Sequence, residues 1–136
     1  MKNTTTKIEM ALTDGYTFDG YSIFLREDGI TQITFKAGFY GELSDAKNMV
    51  EHFKKLNPHS KALILAVYED DNMFSKEVRE YIAGMEVSKI VKADAFVING
   101  LALRIFGNIY LKINKPKRPG KLFKTIEEAV AWLKEQ

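Results

Sequence analysis

The chain holds two histidines, His52 and His59, and no cysteine. Imidazole and thiolate are the side chains best suited to metal binding and to acid–base or nucleophilic work near neutral pH, so their supply bounds the chemistry. The histidines lie seven residues apart with no carboxylate at metal-ligand spacing, whereas a zinc site needs three or four converging ligands. Both read as surface groups. Without cysteine there are no disulfides, thiolate nucleophiles, iron–sulfur clusters or zinc ribbons. A Gly-x-Ser-x-Gly elbow, a Walker loop and a Gly-x-Gly-x-x-Gly turn are all missing from the sequence, which removes the commonest serine-hydrolase and nucleotide-binding signatures. Acid–base catalysis by two distant carboxylates stays open, since such a pair leaves no mark on a sequence. No catalytic set and no cofactor site emerges, and the chain reads as non-enzymatic.

Two charged stretches carry alternatives. Glu69-Asp70-Asp71 follows the apolar run Ala62–Val67, and ligands of open α/β sheets bind at that end of a parallel strand. The triplet could hold magnesium or a cationic ligand; equally, it is a solvated loop whose carboxylates favour the start of the next helix. Lys112, Lys115, Lys117, Arg118, Lys121 and Lys124 place six positive charges in thirteen residues with no acid between them. The whole chain has 20 basic and 18 acidic residues, so the remainder carries 14 against 18. Charge is therefore polarised although the total is only +2. Such a run could contact anionic headgroups, or it could cap a helix C-terminus and keep a loop soluble. No RNA- or DNA-binding signature accompanies it.

These residues must be positioned by one domain of 136 residues, 46% hydrophobic and 28% charged, which rules out disorder and collagen-like repetition. The longest strictly apolar run, Ala62–Tyr68, is far short of a membrane span, and no signal peptide opens the chain. Met1–Thr6 reads as a frayed terminus and Lys7–Leu12 as a short edge strand. Tyr16 and Phe18 fall in a Gly-rich loop leading into the strand Tyr21–Arg26. Asp28-Gly29 supplies the positive φ angles of a tight hairpin, and Ile30–Lys36 returns. Phe39 and Tyr40 occupy a second Gly-rich connector, where loop aromatics either line a pocket mouth or pack under the hairpin. Ser44 is the expected cap of a helix burying Ala46, Met49, Val50, Phe53 and Leu56. Ala62–Val67 lacks polar alternation and reads as a strand covered on both faces. Ser75 caps a second helix with Val78, Tyr81, Ile82 and Met85 inside, weakened by Gly84. Ala93–Ile98 is a further apolar strand, so the two runs and their helix make a parallel βαβ unit.

Leu101–Ile113 reads as a helix with the inner stripe Ala102, Ile105, Phe106, Ile109 and Ile113. Leu101, Leu103, Tyr110 and Leu111 add apolar surface beyond it. A helix apolar nearly all round is deeply buried or has a partner. Leu122-Phe123 can form a last strand, and Thr125 with Glu128 makes a capping box for a final helix packing Ile126, Ala129, Trp132 and Leu133. The order is β-β-α-β-α-β-α-(β)-α, a mixed α/β sheet of four to five strands covered by four helices.

That order, with Asn108, the segment Asn114-Lys115-Pro116-Lys117-Arg118-Pro119, Leu122-Phe123 and the ending Glu128-Ala129-Val130-Ala131-Trp132-Leu133, resembles bacterial SpoIIAA-like proteins. These group with the STAS domains, including anti-sigma-factor antagonists, and share a sheet-plus-helix fold with CRAL-TRIO lipid-transfer proteins. The resemblance spans about Tyr21 to Gln136. It implies a cytoplasmic regulatory module acting by protein binding. It also places Ser75 where the antagonists carry a kinase-modified serine, although Phe74 stands in place of their Asp and Glu77 in place of a small residue. The surplus apolar side chains Leu101, Leu103, Phe106, Tyr110 and Leu111 point to an interface or a pocket. Two readings result: a self-associating interaction module, expected as a homodimer, or a protein that binds a small lipid or acyl ligand or a membrane surface.

Overall fold

The computed structural model describes residues 15–136; Met1–Thr6 and the edge strand expected over Lys7–Leu12 lie outside that range. Its centre is a six-stranded mixed sheet in the spatial order Gly15–Thr17, Tyr21–Leu25, Thr31–Phe35, Ala62–Val67, Val91–Val97 and Gly120–Phe123. The first three strands, β1 (Gly15–Thr17), β2 (Tyr21–Leu25) and β3 (Thr31–Phe35), are antiparallel neighbours. The strand β1 was expected as loop because Gly15 and Gly20 disfavour a strand. Its glycine serves close pairing instead: a Cβ at Gly15 would lie 2.5 Å from the Cβ of Phe24. The hairpin turn is wider than a two-residue Asp-Gly turn, with Arg26 N–H donating to Ile30 O at 2.9 Å and Gly29 N–H to Arg26 O at 3.0 Å. Only Gly29 takes a positive φ, at 84°. Asp28 keeps an ordinary φ because its carboxylate braces the turn, accepting from Arg26 Nε at 3.1 Å and from Ile30 N–H at 3.2 Å. The hydrogen bond from Arg26 holds that carboxyl below its usual range.

The helix α1 (Leu43–Leu56) starts two residues earlier than Ser44 would place it. Glu42 is the cap, and its N–H donates to the Asp45 carboxylate at 2.9 Å, the reciprocal arrangement that an acid at the third helical position favours. Ala46, Met49, Val50 and Phe53 are buried as the periodicity predicts. The strand β5 (Ala62–Val67) lies between β3 and β7 (Val91–Val97), parallel to both. Ile64 and Ala66 enter the core shared with α1, while Leu65 enters the core on the opposite face with Ala93, Ala95, Ala129 and Leu133. A central strand with helices on both sides must be apolar at every position, which is why Ala62–Val67 shows no alternation.

Ser75 caps α2 (Lys76–Ala83), its hydroxyl accepting from Val78 N–H at 3.3 Å. That helix stops at the extended Gly84 and a separate turn, α3 (Met85–Ser88), follows. The break swings Met85 out of the predicted inner face, leaving it 57% exposed. Beyond β7 come α4 (Leu101–Ile109), a π-helical turn over Tyr110–Asn114, the parallel edge strand β8 (Gly120–Phe123) and α5 (Ile126–Lys134). Thr125 caps α5 and interacts with Glu128 as expected. Two short strands, β4 (Tyr40–Gly41) and β6 (Met73–Phe74), pair apart from the main sheet. Strand and helix counts thus exceed the expectation, through β1, β4, β6 and the division at Gly84, while the mixed α/β class stands. No helix among the described residues is long and apolar enough to cross a membrane.

Candidate functional site

The main departure from the expected pattern is the orientation of α4. Ile105, Ile109 and Ile113 of the predicted inner stripe are 47–73% exposed, as is Leu101 beside them, so most of that stripe faces outward. Phe106 faces inward as predicted, joined there by Leu103 and Tyr110. Both faces of this helix are apolar, so hydrophobic spacing alone cannot choose between them. The residue that reports the inner face is Gly107: a Cβ there would lie 3.0 Å from Leu122 Cδ2, so the helix approaches β8 through its glycine. Leu111 is half-buried and packs over Gly120.

Between α4 and the sheet lies a partly open cavity of about 130 Å³. Ile64, Ala66, Tyr68 and Phe96 form its floor, Met49, Phe53, Val78 and Ile82 its walls, and Leu103, Phe106 and Tyr110 its roof. Arg79 also lines it, with its guanidinium 4.7 Å from the Phe106 ring centroid and one N–H donating to Phe74 O at 3.1 Å. The π-helical turn begins at Tyr110; such widened turns re-aim side chains and recur at functional sites.

Asp94 sits at the cavity's polar end, and Arg118 binds it. Arg118 Nε donates to Asp94 Oδ2 at 2.6 Å, and the other guanidinium nitrogens donate to Ser88 Oγ at 2.9 Å and Ile82 O at 2.8 Å. Both partners of the ion pair are at least nine-tenths buried. Arg118 therefore leaves the set of six cations expected at the surface. Arginine's planar fork can satisfy three acceptors inside the protein, where lysine's point charge could not. Lys112, Lys115, Lys117, Lys121 and Lys124 are exposed. Burial pushes the Asp94 carboxyl up, and the Arg118 charge and hydrogen bond offset that rise only in part. Burial likewise raises Tyr68 and Tyr110, with the Asp94 charge adding to the effect on both. Both phenols stay protonated at neutral pH. Arg118 lies close enough to pull the Tyr110 phenol partly back, yet the Tyr110 hydroxyl is the one buried side-chain polar atom among the described residues that makes no well-aligned hydrogen bond.

The other candidates lie elsewhere. Glu69, Asp70 and Asp71 are exposed, and their loop is tied down by the buried Asn72, which accepts from Glu69 N–H and donates to Lys36 O. No group of three His, Asp or Glu side chains among the described residues could hold a metal ion. His52 is buried, not superficial: its ring meets those of Tyr16 at 4.3 Å and Phe18 at 5.0 Å, and Nδ1 lies 2.7 Å from Asn48 O. Tyr16 on β1 and Phe18 just beyond it supply the cover, in a stretch the sequence predicts as loop. His59 is exposed. Phe39 packs on Tyr21, Phe35 and Phe74, whereas Tyr40 is exposed.

A family model described as a domain of unknown function, DUF7793, matches residues 23–136. The chain belongs to the DUF7793 family. No curated protein matches it. This DUF7793 chain is similar in structure to an uncharacterised protein of the DUF3478 family, with a SpoIIAA-like fold, from Shewanella loihica PV-4. The TM-score is 0.63 at 15% identity, over 86% of this chain and 96% of that one. At that identity the likeness establishes a SpoIIAA-like fold, as the sequence resemblance implied, and function must be argued from the site.

Proposed function

We propose that this DUF7793 chain is a non-enzymatic binding module that holds a small apolar molecule between α4 and the sheet. The supporting observation is the cavity of about 130 Å³ lined by aromatic and branched side chains. Protein interiors are ordinarily filled to crystal-like density. An apolar void of comparable size, about 150 Å³, stays dry and accepts benzene or xenon. Binding is favoured over catalysis because the charged groups at the cavity are already engaged. Asp94 is held by Arg118, and Arg79 by Phe74 and Phe106. A general acid or base needs an open path to the reacting atom. Native mass spectrometry of freshly purified protein tests this reading. The expected spectrum shows a noncovalent adduct that organic extraction removes and added toluene restores. The protein mass alone, unchanged by toluene, would contradict it.

A second reading rests on the outward face of α4. Leu101, Ile105, Ile109 and Ile113 are exposed there, with the exposed Lys112, Lys115 and Lys117 at the C-terminal end of the row. Apolar side chains bordered by lysines fit an anionic lipid surface, whereas pairing two copies would also bring together like charges. Salt-sensitive co-sedimentation with anionic but not neutral vesicles is the expected result. A stable dimer that ignores both vesicle types would favour self-association instead.

A further inference from the structure

Resting on the apolar-ligand reading, we infer that the cavity selects a neutral ligand bearing one oxygen acceptor, as in a small phenol, alcohol or ketone, and that the Tyr110 hydroxyl donates a hydrogen bond to it. Tyr110 is 8% exposed and lines the cavity; the Arg118 guanidinium beside it can only donate, so the hydroxyl's own proton has no acceptor. Buried hydroxyls are ordinarily satisfied, so an orphan at a cavity wall marks a place where a partner is missing. The ring is fixed by its position at the start of the π-helical turn and by edge-on contact with Phe96, at 6.0 Å between centroids. Burial and the neighbouring Asp94 charge outweigh the opposing pull of Arg118 and keep the phenol protonated, so it has a proton to offer.

The surrounding charges argue for a neutral guest. Arg118 has its acceptors in Asp94, Ser88 and Ile82, so it does not stand as a free counter-charge for a carboxylate. The Asp94 carboxylate would also repel a second anion. An ionised ligand would therefore be desolvated without compensation.

Phenol and toluene are suitable probes, similar in shape and different in the hydroxyl. Each is titrated into the wild-type chain and into Tyr110→Phe, with affinity followed by heteronuclear NMR. Removing an unsatisfied hydroxyl does not weaken the fold, so the variant is expected to be at least as stable as wild type. Tyr110→Phe should weaken phenol by about tenfold, the loss of one hydrogen bond, and leave toluene within about twofold. If toluene and phenol bind and the substitution shifts both equally or neither, the inference falls while the ligand-binding reading survives; the hydroxyl is then served by water. If neither probe binds wild type, both fall together.

Discussion

Replacing Arg118 by methionine is expected to lower the free energy of unfolding by about 3–5 kcal/mol at neutral pH, the cost of a buried charge left without its partner. The guanidinium neutralises Asp94 and ties it to Ser88 and to the Ile82 carbonyl. It thereby joins the approach to β8 to β7 and to the α2–α3 corner. Without Arg118, burial acts on Asp94 unopposed, and its folded-state pKa, already above the ordinary 3.8, rises further. The folded variant then holds a proton that the unfolded chain releases, so its stability falls as pH climbs from that ordinary value to the raised one. The variant should lie closest to wild type near the acid end of its folded range and furthest from it at neutrality. Urea unfolding at two pH values measures this. Adding Asp94→Leu should restore much of the loss, because an apolar pair of similar volume avoids the desolvation penalty. A deficit independent of pH would show that Asp94 is not the group affected.

The second large effect is expected at Leu65. Leu65→Ala should cost about 2–5 kcal/mol, in the upper half of the range for a buried leucine. The side chain is fully buried at the centre of β5, and its neighbours include Ala93, Ala95 and Ala129. Methyl groups fixed to strand and helix backbones cannot lean into the space a leucine vacates, so most of the void persists. Ile105→Ala on the outer face of α4 removes comparable apolar bulk where it is half exposed and should change stability by no more than about 0.5 kcal/mol. Denaturant midpoints separate the two, provided the slope is unchanged.

Features encoded locally were legible in the sequence. Ser75 and Thr125 cap their helices because a hydroxyl three residues before a free N–H needs no distant information. The unbroken apolar run of β5 announced two-sided cover, and the hairpin followed from Asp28-Gly29 between alternating strands. What was missed depends on residues far apart in the chain. Asp94 was read as part of an apolar strand, and nothing in its neighbourhood names Arg118, 24 residues away. His52 was assigned to the surface because its cover comes from Tyr16 and Phe18 on another element. The facing of α4 was undecidable from hydropathy, and Gly107 was the available clue. The cavity under α4 is a matter of packing volume, which no linear pattern records. Leu103, Phe106 and Tyr110 were nevertheless among the five residues singled out for a pocket or interface.

The central claim is that a dry, apolar and fillable space lies beneath α4. A crystal of the protein held under xenon pressure tests it most directly, since xenon enters such spaces without any hydrogen bond. The expected result is a xenon atom in contact with Phe96, Phe106 and Ile64, with no displacement of the surrounding backbone. A cavity closed by collapse of Phe106 onto the sheet, or filled by a chain of ordered waters, would contradict it.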